Sequence, residues 1–188
     1  MICLFELLPK MRERRSGCII NIASRAATVD VPFCVSYNAG KAALTRAVGS
    51  IQAELEMDGL GDNIQLYALH PGGVLTAMGE SESDPSISTC RCAFIDDDLP
   101  VHPPKDVSER YPIVLENKSE YQKLFVDKPE LCGATCAYIA AGKAKVLRGL
   151  YYDCRQDIER VCGASHTLRA RDLNSLTVNF LDGYENEP

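Results

Sequence analysis

No segment of this 188-residue sequence approaches the ~20 consecutive apolar residues of a membrane-spanning helix. The opening stretch, MICLFELLPKMRERR, is apolar first and basic afterwards, with Glu6 breaking the apolar run. That order is the reverse of a secretory signal. Positive charge is scarce as well. Lys and Arg number 20 against 26 Asp and Glu, giving a net charge of −6, which argues against binding nucleic acid or an anionic membrane through bulk charge. The one basic cluster, Arg12 to Arg15, is interrupted by Glu13 and reads as a solvated helix end, with cations near the negative pole of the helix dipole.

Paired metal ligands are missing too. Cysteine is abundant, at nine, yet the closest spacings are Cys90-x-Cys92 and Cys132-x-x-x-Cys136, and the only histidines are His70, His102 and His166. Zinc sites usually draw on tighter pairs, so no metal is expected. An odd count of cysteines without an export signal fits free thiols in a cytoplasmic setting. The sequence contains neither internal repeats nor low-complexity tracts.

What is present is 46% hydrophobic, enough for one globular domain or most of one. Residues 2–15 read as a helix with Leu4, Leu7, Leu8 and Met11 on one side, bent or interrupted at Pro9 and closed by Ser16-Gly17. CIINIAS, residues 18–24, is a β-branched and small apolar run expected to form a strand buried on both faces. An irregular loop over 25–35 leads to a helix from Ser36 to about Met57, with Ala42, Leu44, Ala47, Val48, Ile51 and Leu55 on a broad apolar face. DGLGDN, residues 58–63, stops that helix, and IQLYALH, residues 64–70, is a second buried strand. A long helix joining two apolar strands is the crossover of a parallel sheet in a layered α/β fold.

Composition shifts beyond Thr76. Residues 77–127 are rich in Ser, Asp, Pro and Glu and read as short helices and loops rather than a second domain. Cys90, Cys92 and Phe94 could line a pocket there or be ordinary loop packing. Residues 128–141 read as a helix with Asp127 as N-cap and Pro129 in its first turn. VLRGLYYDC, 146–154, reads as a third strand and 155–162 as a short helix; no element is assigned after Gly163.

Chemistry enters with SYNAGKAAL, residues 36–44. Tyr37 and Lys41 lie four positions apart at a helix start and so share a face, about 5–6 Å apart at Cβ. An ammonium beside a phenol favours the phenolate, which suits proton transfer near neutral pH. Taken alone, the pair is equally a packed tyrosine with a solvated lysine nearby. Two further features leave the sheet at the same edge: Ser24 ends the first strand, thirteen residues before Tyr37, and HPGGVLT follows the second strand. In open α/β sheets ligands bind at the carboxyl ends of the strands.

In this order and at these spacings, NIAS, YNAGK and HPGGVLT resemble the carboxyl-terminal half of the classical short-chain dehydrogenase/reductases. The resemblance covers residues 1–79 well and about 128–162 loosely, through the GLYYD strand. It implies a three-layer α/β/α Rossmann-like domain with a parallel sheet, here incomplete and occupying residues 1–188 as a single partial domain. It implies that Tyr37 exchanges a proton with the substrate oxygen while a hydride moves to or from NAD or NADP. Lys41 would favour the phenolate and bind the nicotinamide ribose, and Ser24 would polarise the substrate oxygen. Pro71, Gly72, Val74 and Thr76 would meet the nicotinamide end of the cofactor, and Tyr37 and Lys41 would line it too. The implied partners are a small alcohol or ketone and further copies of the chain, met through the helices at 2–15 and 36–57.

The resemblance also marks what is missing. The family's glycine-rich phosphate loop, T-G-x-x-x-G-x-G, has no counterpart; GLG at 59–61 ends a helix and precedes a strand, the wrong context. The residue that selects NAD or NADP and the N-N-A-G turn are absent, and Asn21, inside a strand, does not match the family's catalytic asparagine. The expectation is therefore a dehydrogenase lacking its first half and inactive as the isolated chain. The contrasting reading is a non-catalytic relative that acts as an interaction or dimerisation protein.

Overall fold

The computed structural model describes residues 2–30, 35–74 and 125–178. Most of the composition-shifted region lies outside these residues, as do Thr76 and the candidate pocket residues Cys90, Cys92 and Phe94. The chain opens with α1 (Ile2–Arg14), β1 (Gly17–Ile22), a short 3-10 turn (Arg25–Ala27), α2 (Val35–Met57) and β2 (Ile64–His70). It resumes with α3 (Pro129–Ala140), a second 3-10 turn (Lys145–Leu147), β3 (Tyr151–Asp153), α4 (Ile158–Gly163) and α5 (Ser165–Ala170).

The three strands form one parallel sheet in the order β1-β2-β3, with Ile19 opposite Leu66 and Ala68 opposite Tyr151. Side chains alternate between faces along each strand, and each face has its own core. On one side Leu4 and Met11 of α1 and Val48 and Leu55 of α2 meet Ile64, Leu66 and Ala68. On the other, Ile139 of α3, Leu147 and Leu168 of α5 meet Tyr67, Leu69 and Tyr152. Helices thus cover both faces of a parallel sheet, a partial Rossmann-like α/β fold.

Every residue of β2 is buried, because among the described residues it alone has a strand on each side. β1 does not share that environment, contrary to the expectation of burial on both faces: Cys18 is exposed and Ile22 is 43% exposed. β1 has a neighbouring strand on one side only among the described residues, so of its even-numbered side chains Ile20 still packs against the core beneath α3, whereas Cys18 and Ile22 stay largely uncovered. Pro9 lies inside α1 without interrupting it. The helix is anchored on both sides of that proline by the buried Leu4 and Met11. Its end is a left-handed Arg15, with Ser16 N–H donating to Met11 O at 3.1 Å and Arg15 N–H to Arg12 O at 3.2 Å, the paired bonds that close many helices.

The third strand is shorter than expected. Lys145–Leu147 form a 3-10 turn and Gly149 has a φ of +78°, so extended pairing begins only at Tyr151. Asp127 is not the N-cap of α3, which is Lys128; its carboxylate is engaged elsewhere. The short helix after β3 starts at Ile158, capped by Asp157, and Ser165–Ala170 form a further helix that the sequence did not announce.

One buried polar residue ties α2 to the sheet. Gln52 is 2% exposed, and its Oε1 accepts the Leu66 N–H at 2.9 Å. Gly149 packs against it closely enough that a Cβ there would meet Gln52 Cγ at 3.0 Å.

Candidate functional site

Because β1 and β2 are parallel, the segments leaving their carboxyl ends emerge at one sheet edge. Ser24 follows β1 and caps the Arg25–Ala27 turn, its hydroxyl accepting the Ala26 N–H at 3.2 Å. α2 packs against that turn. The first turns of α2 are fastened to the end of β1 by Lys41, whose Nζ donates to Ile22 O at 2.8 Å. The same ammonium lies 5.7 Å from the centre of the Tyr37 ring, as the four-residue spacing requires. Ser24, Tyr37 and Lys41 are all half-buried. Burial pulls the Lys41 ammonium below the ordinary lysine range, because removing water penalises its charged form.

After β2 come Pro71, Gly72 and Gly73. Gly72 has a φ of +82°, a conformation that glycine adopts without a Cβ penalty. A Cβ at Gly72 would also meet Asp127 Oδ2 at 2.7 Å. Asp127 grips the turn twice: its Oδ2 accepts the Gly73 N–H at 2.7 Å, and its own N–H donates to Gly73 O at 2.9 Å. The sequence-expected residues Pro71, Gly72 and Val74 therefore stand at the same edge as Ser24 and the start of α2.

A charged network behind this turn was not foreseen. Arg155 donates to both Asp153 carboxylate oxygens, at 2.9 and 2.6 Å, and its Nε lies 3.9 Å from Asp127 Oδ2. Burial raises the Asp153 carboxyl, but the Arg155 hydrogen bonds outweigh it and hold the group below its ordinary value. His70, 8% exposed, places Nε2 4.0 Å from Asp153 Oδ2, and its Nδ1 has no hydrogen-bond partner among the described residues. Desolvation lowers its pKa despite the nearby carboxylate. The sequence signal was a histidine and an aspartate ending two apolar runs, IQLYALH and GLYYD, at neighbouring positions of the sheet.

The chemical capacity of this edge is proton transfer. It offers a phenol, a partly desolvated ammonium and a hydroxyl at the edge where the Gly72 turn leaves β2. Among the described residues no three His, Cys, Asp or Glu side chains are grouped to hold a metal. No described helix is long and apolar enough to cross a membrane.

Comparison with known proteins concentrates on the same part of the chain. Residues 1–86 match the family model described as short chain dehydrogenase. The looser resemblance over 128–162 falls outside that match. The chain is 31% identical over 156 residues to a short chain dehydrogenase of Pseudocercospora fijiensis, covering 82% of this chain and 43% of the relative. It is 37% identical over 81 residues to the short chain dehydrogenase adrF of Penicillium roqueforti, covering 43% of this chain and 30% of the relative. It is 35% identical over 69 residues to the asnovolin H dehydrogenase nvfC of Aspergillus novofumigatus, covering 37% and 25%. The chain thus spans less than half the length of these relatives.

Proposed function

We propose that this chain, whose residues 1–86 match the short chain dehydrogenase family model, carries the proton-transfer part of an NAD(P)-dependent oxidoreductase that interconverts a secondary alcohol and a ketone. The observation that carries this reading is the meeting of Tyr37 and Lys41, 5.7 Å apart from ring centre to ammonium, at the sheet edge where Ser24 and the Gly72 turn leave their strands.

The residues present fit one end of a dinucleotide. Gly72 carries no side chain, and the space a Cβ would take there is filled by Asp127, so a nicotinamide ring at this edge would meet the backbone of the turn. The other end lacks a cradle: the sequence has no glycine-rich loop opening a helix, the arrangement that usually holds a pyrophosphate. A bound nicotinamide supplies the hydride acceptor or donor. Tyr37 takes the hydroxyl proton as the alcohol becomes a ketone and returns it in the reverse direction. Lys41 keeps positive charge next to the phenol, and is positioned by the Ile22 carbonyl. Ser24 orients the substrate oxygen by hydrogen bonding.

A cytoplasmic setting belongs to this reading and is supported by free thiols at Cys18, Cys132, Cys136, Cys154 and Cys162. The test joins the chain to the dinucleotide-cradling segment of a relative and measures alcohol oxidation with NAD and with NADP. Turnover that depends on Tyr37 supports the proposal. Cofactor binding without any turnover on a panel of secondary alcohols and ketones favours the interaction-protein reading.

A further inference from the structure

The Gly72 turn is held from outside its own strand. Asp127 Oδ2 accepts the Gly73 N–H at 2.7 Å, and the same oxygen faces Arg155 Nε at 3.9 Å. Arg155 is fixed in turn by Asp153. Its Nε and Nη2 donate to the two carboxylate oxygens at 2.9 and 2.6 Å, and its backbone N–H donates to Oδ1 at 3.0 Å. Asp153 is the last residue of β3, and the next residue, Cys154, donates its N–H to the carbonyl of His70 at 3.0 Å. His70 immediately precedes Pro71. The ends of β2 and β3 and the residue before the α3 cap therefore converge on one turn.

Charge gives Arg155 the central part in this arrangement. The Asp127 and Asp153 side chains are only 16% and 17% exposed, and a single guanidinium pairs with both. His70 Nε2 lies 4.0 Å from Asp153 Oδ2, but burial holds this histidine below its ordinary pKa, so it brings no second cation near neutral pH. Among the described residues no other basic side chain forms an ion pair with either carboxylate. Two carboxylates that lose their shared counter-ion repel each other. The Asp127 oxygen that such repulsion would displace is the one that holds Gly73.

We propose that Arg155 is a positioning residue for the reaction: it aims Asp127 at the Gly73 N–H and so fixes the backbone that the nicotinamide end of the cofactor meets. This inference rests on the dehydrogenase reading of the sheet edge and extends the site beyond β3, outside residues 1–86. Arginine is suited to the task because its planar fork binds Asp153 at two points while Nε still faces Asp127. A lysine brings one compact charge and no fork.

The test is nuclear magnetic resonance of the nitrogen-15-labelled 188-residue chain, comparing wild type with Arg155→Gln and Arg155→Lys. In Arg155→Gln the Gly73 amide should exchange with solvent roughly tenfold faster or more, while Leu66 and Ala68 in the middle of β2 keep their protection. Arg155→Lys should recover only part of the loss. Asp153→Asn, which leaves the Arg155 side chain without its ionic anchor, should release Gly73 as well. Unchanged Gly73 exchange in both Arg155→Gln and Asp153→Asn overturns the proposal, and so does acceleration that Leu66 and Ala68 share equally. Millimolar nicotinamide mononucleotide is the probe for the cofactor end. It should shift the Gly72 and Gly73 amides in wild type and shift them several-fold less in Arg155→Gln. Equal shifts in the two proteins overturn the role of Arg155 and leave the dehydrogenase reading standing. No shift at the turn in wild type overturns that reading, and the positioning role with it.

Discussion

The Lys41 ammonium lies 2.8 Å from the Ile22 carbonyl and 5.7 Å from the centre of the Tyr37 ring. One lysine therefore fixes the start of α2 to the end of β1 and also sets the charge beside the phenol. Lys41→Met should remove both effects. In a form supplied with a cofactor cradle, turnover should fall roughly 10²–10⁴-fold, the usual contribution of an acid–base device. Cofactor affinity should weaken as well. Titration of NAD(P)H fluorescence beside steady-state kinetics checks the two losses separately.

Tyr37→Phe deletes one hydroxyl from a half-buried ring and leaves the helix face filled. Turnover should drop by about 10²–10⁴-fold with cofactor affinity little changed. Wild-type kinetics in this variant would make Tyr37 and Lys41 a packing pair. Ser24→Ala should reduce turnover more than cofactor affinity, and it also removes the cap of the Arg25–Ala27 turn. A Ser24→Thr variant, which keeps a hydroxyl, should recover part of the rate.

The 188-residue chain by itself should bind NADH and NADPH no better than millimolar, because its sequence offers no backbone cradle for the pyrophosphate. Micromolar binding by fluorescence titration would contradict this.

His70 gives the fold a pH signature. Its pKa lies below the ordinary histidine value of 6.5, chiefly through burial; Asp153 and Asp127 oppose this, and Arg155 and Arg25 reinforce it. A group of this kind binds fewer protons folded than unfolded. Its stability contribution is complete above about 6.5 and declines as pH falls below that value toward the folded-state pKa. Asp153, held below 3.8, changes stability only in more acidic solution. Denaturant midpoints measured between about pH 7.5 and pH 5 should decline in wild type. The decline should be shallower in His70→Gln.

Gln52→Leu keeps the volume near the sheet but abandons the Leu66 N–H inside the protein. The cost should be about 1–3 kcal/mol, the penalty for an unpaired buried donor. Urea unfolding at fixed pH gives the value directly.

Some of this molecule was legible from residue order. IQLYALH is bounded by a glycine-rich stop and a Pro-Gly turn, and the strand occupies residues 64–70 as expected. The depth of β1 was not legible, since CIINI is apolar whether or not anything covers its far side; burial is set by neighbours. VLRGLYYDC has the composition of a strand throughout, yet the left-handed Gly149 leaves only Tyr151–Asp153 extended. Asp127 was read by its type and place as a helix cap. Its actual partner, Gly73, lies 54 residues away, and no local pattern reveals such a contact. The Tyr37–Lys41 pair was legible because helical spacing alone sets it, whereas the Asp127–Arg155–Asp153 network depends on tertiary placement.

The two hydrogen bonds between Asp127 and Gly73 tie distant parts of the sequence together. They join the two ends of everything between residues 74 and 126 at a single pinch point, directly on the sheet edge. Replacing the Asp127 carboxylate would therefore release the Gly72 turn and the approach to α3 together, although 54 residues separate Gly73 from Asp127 in sequence.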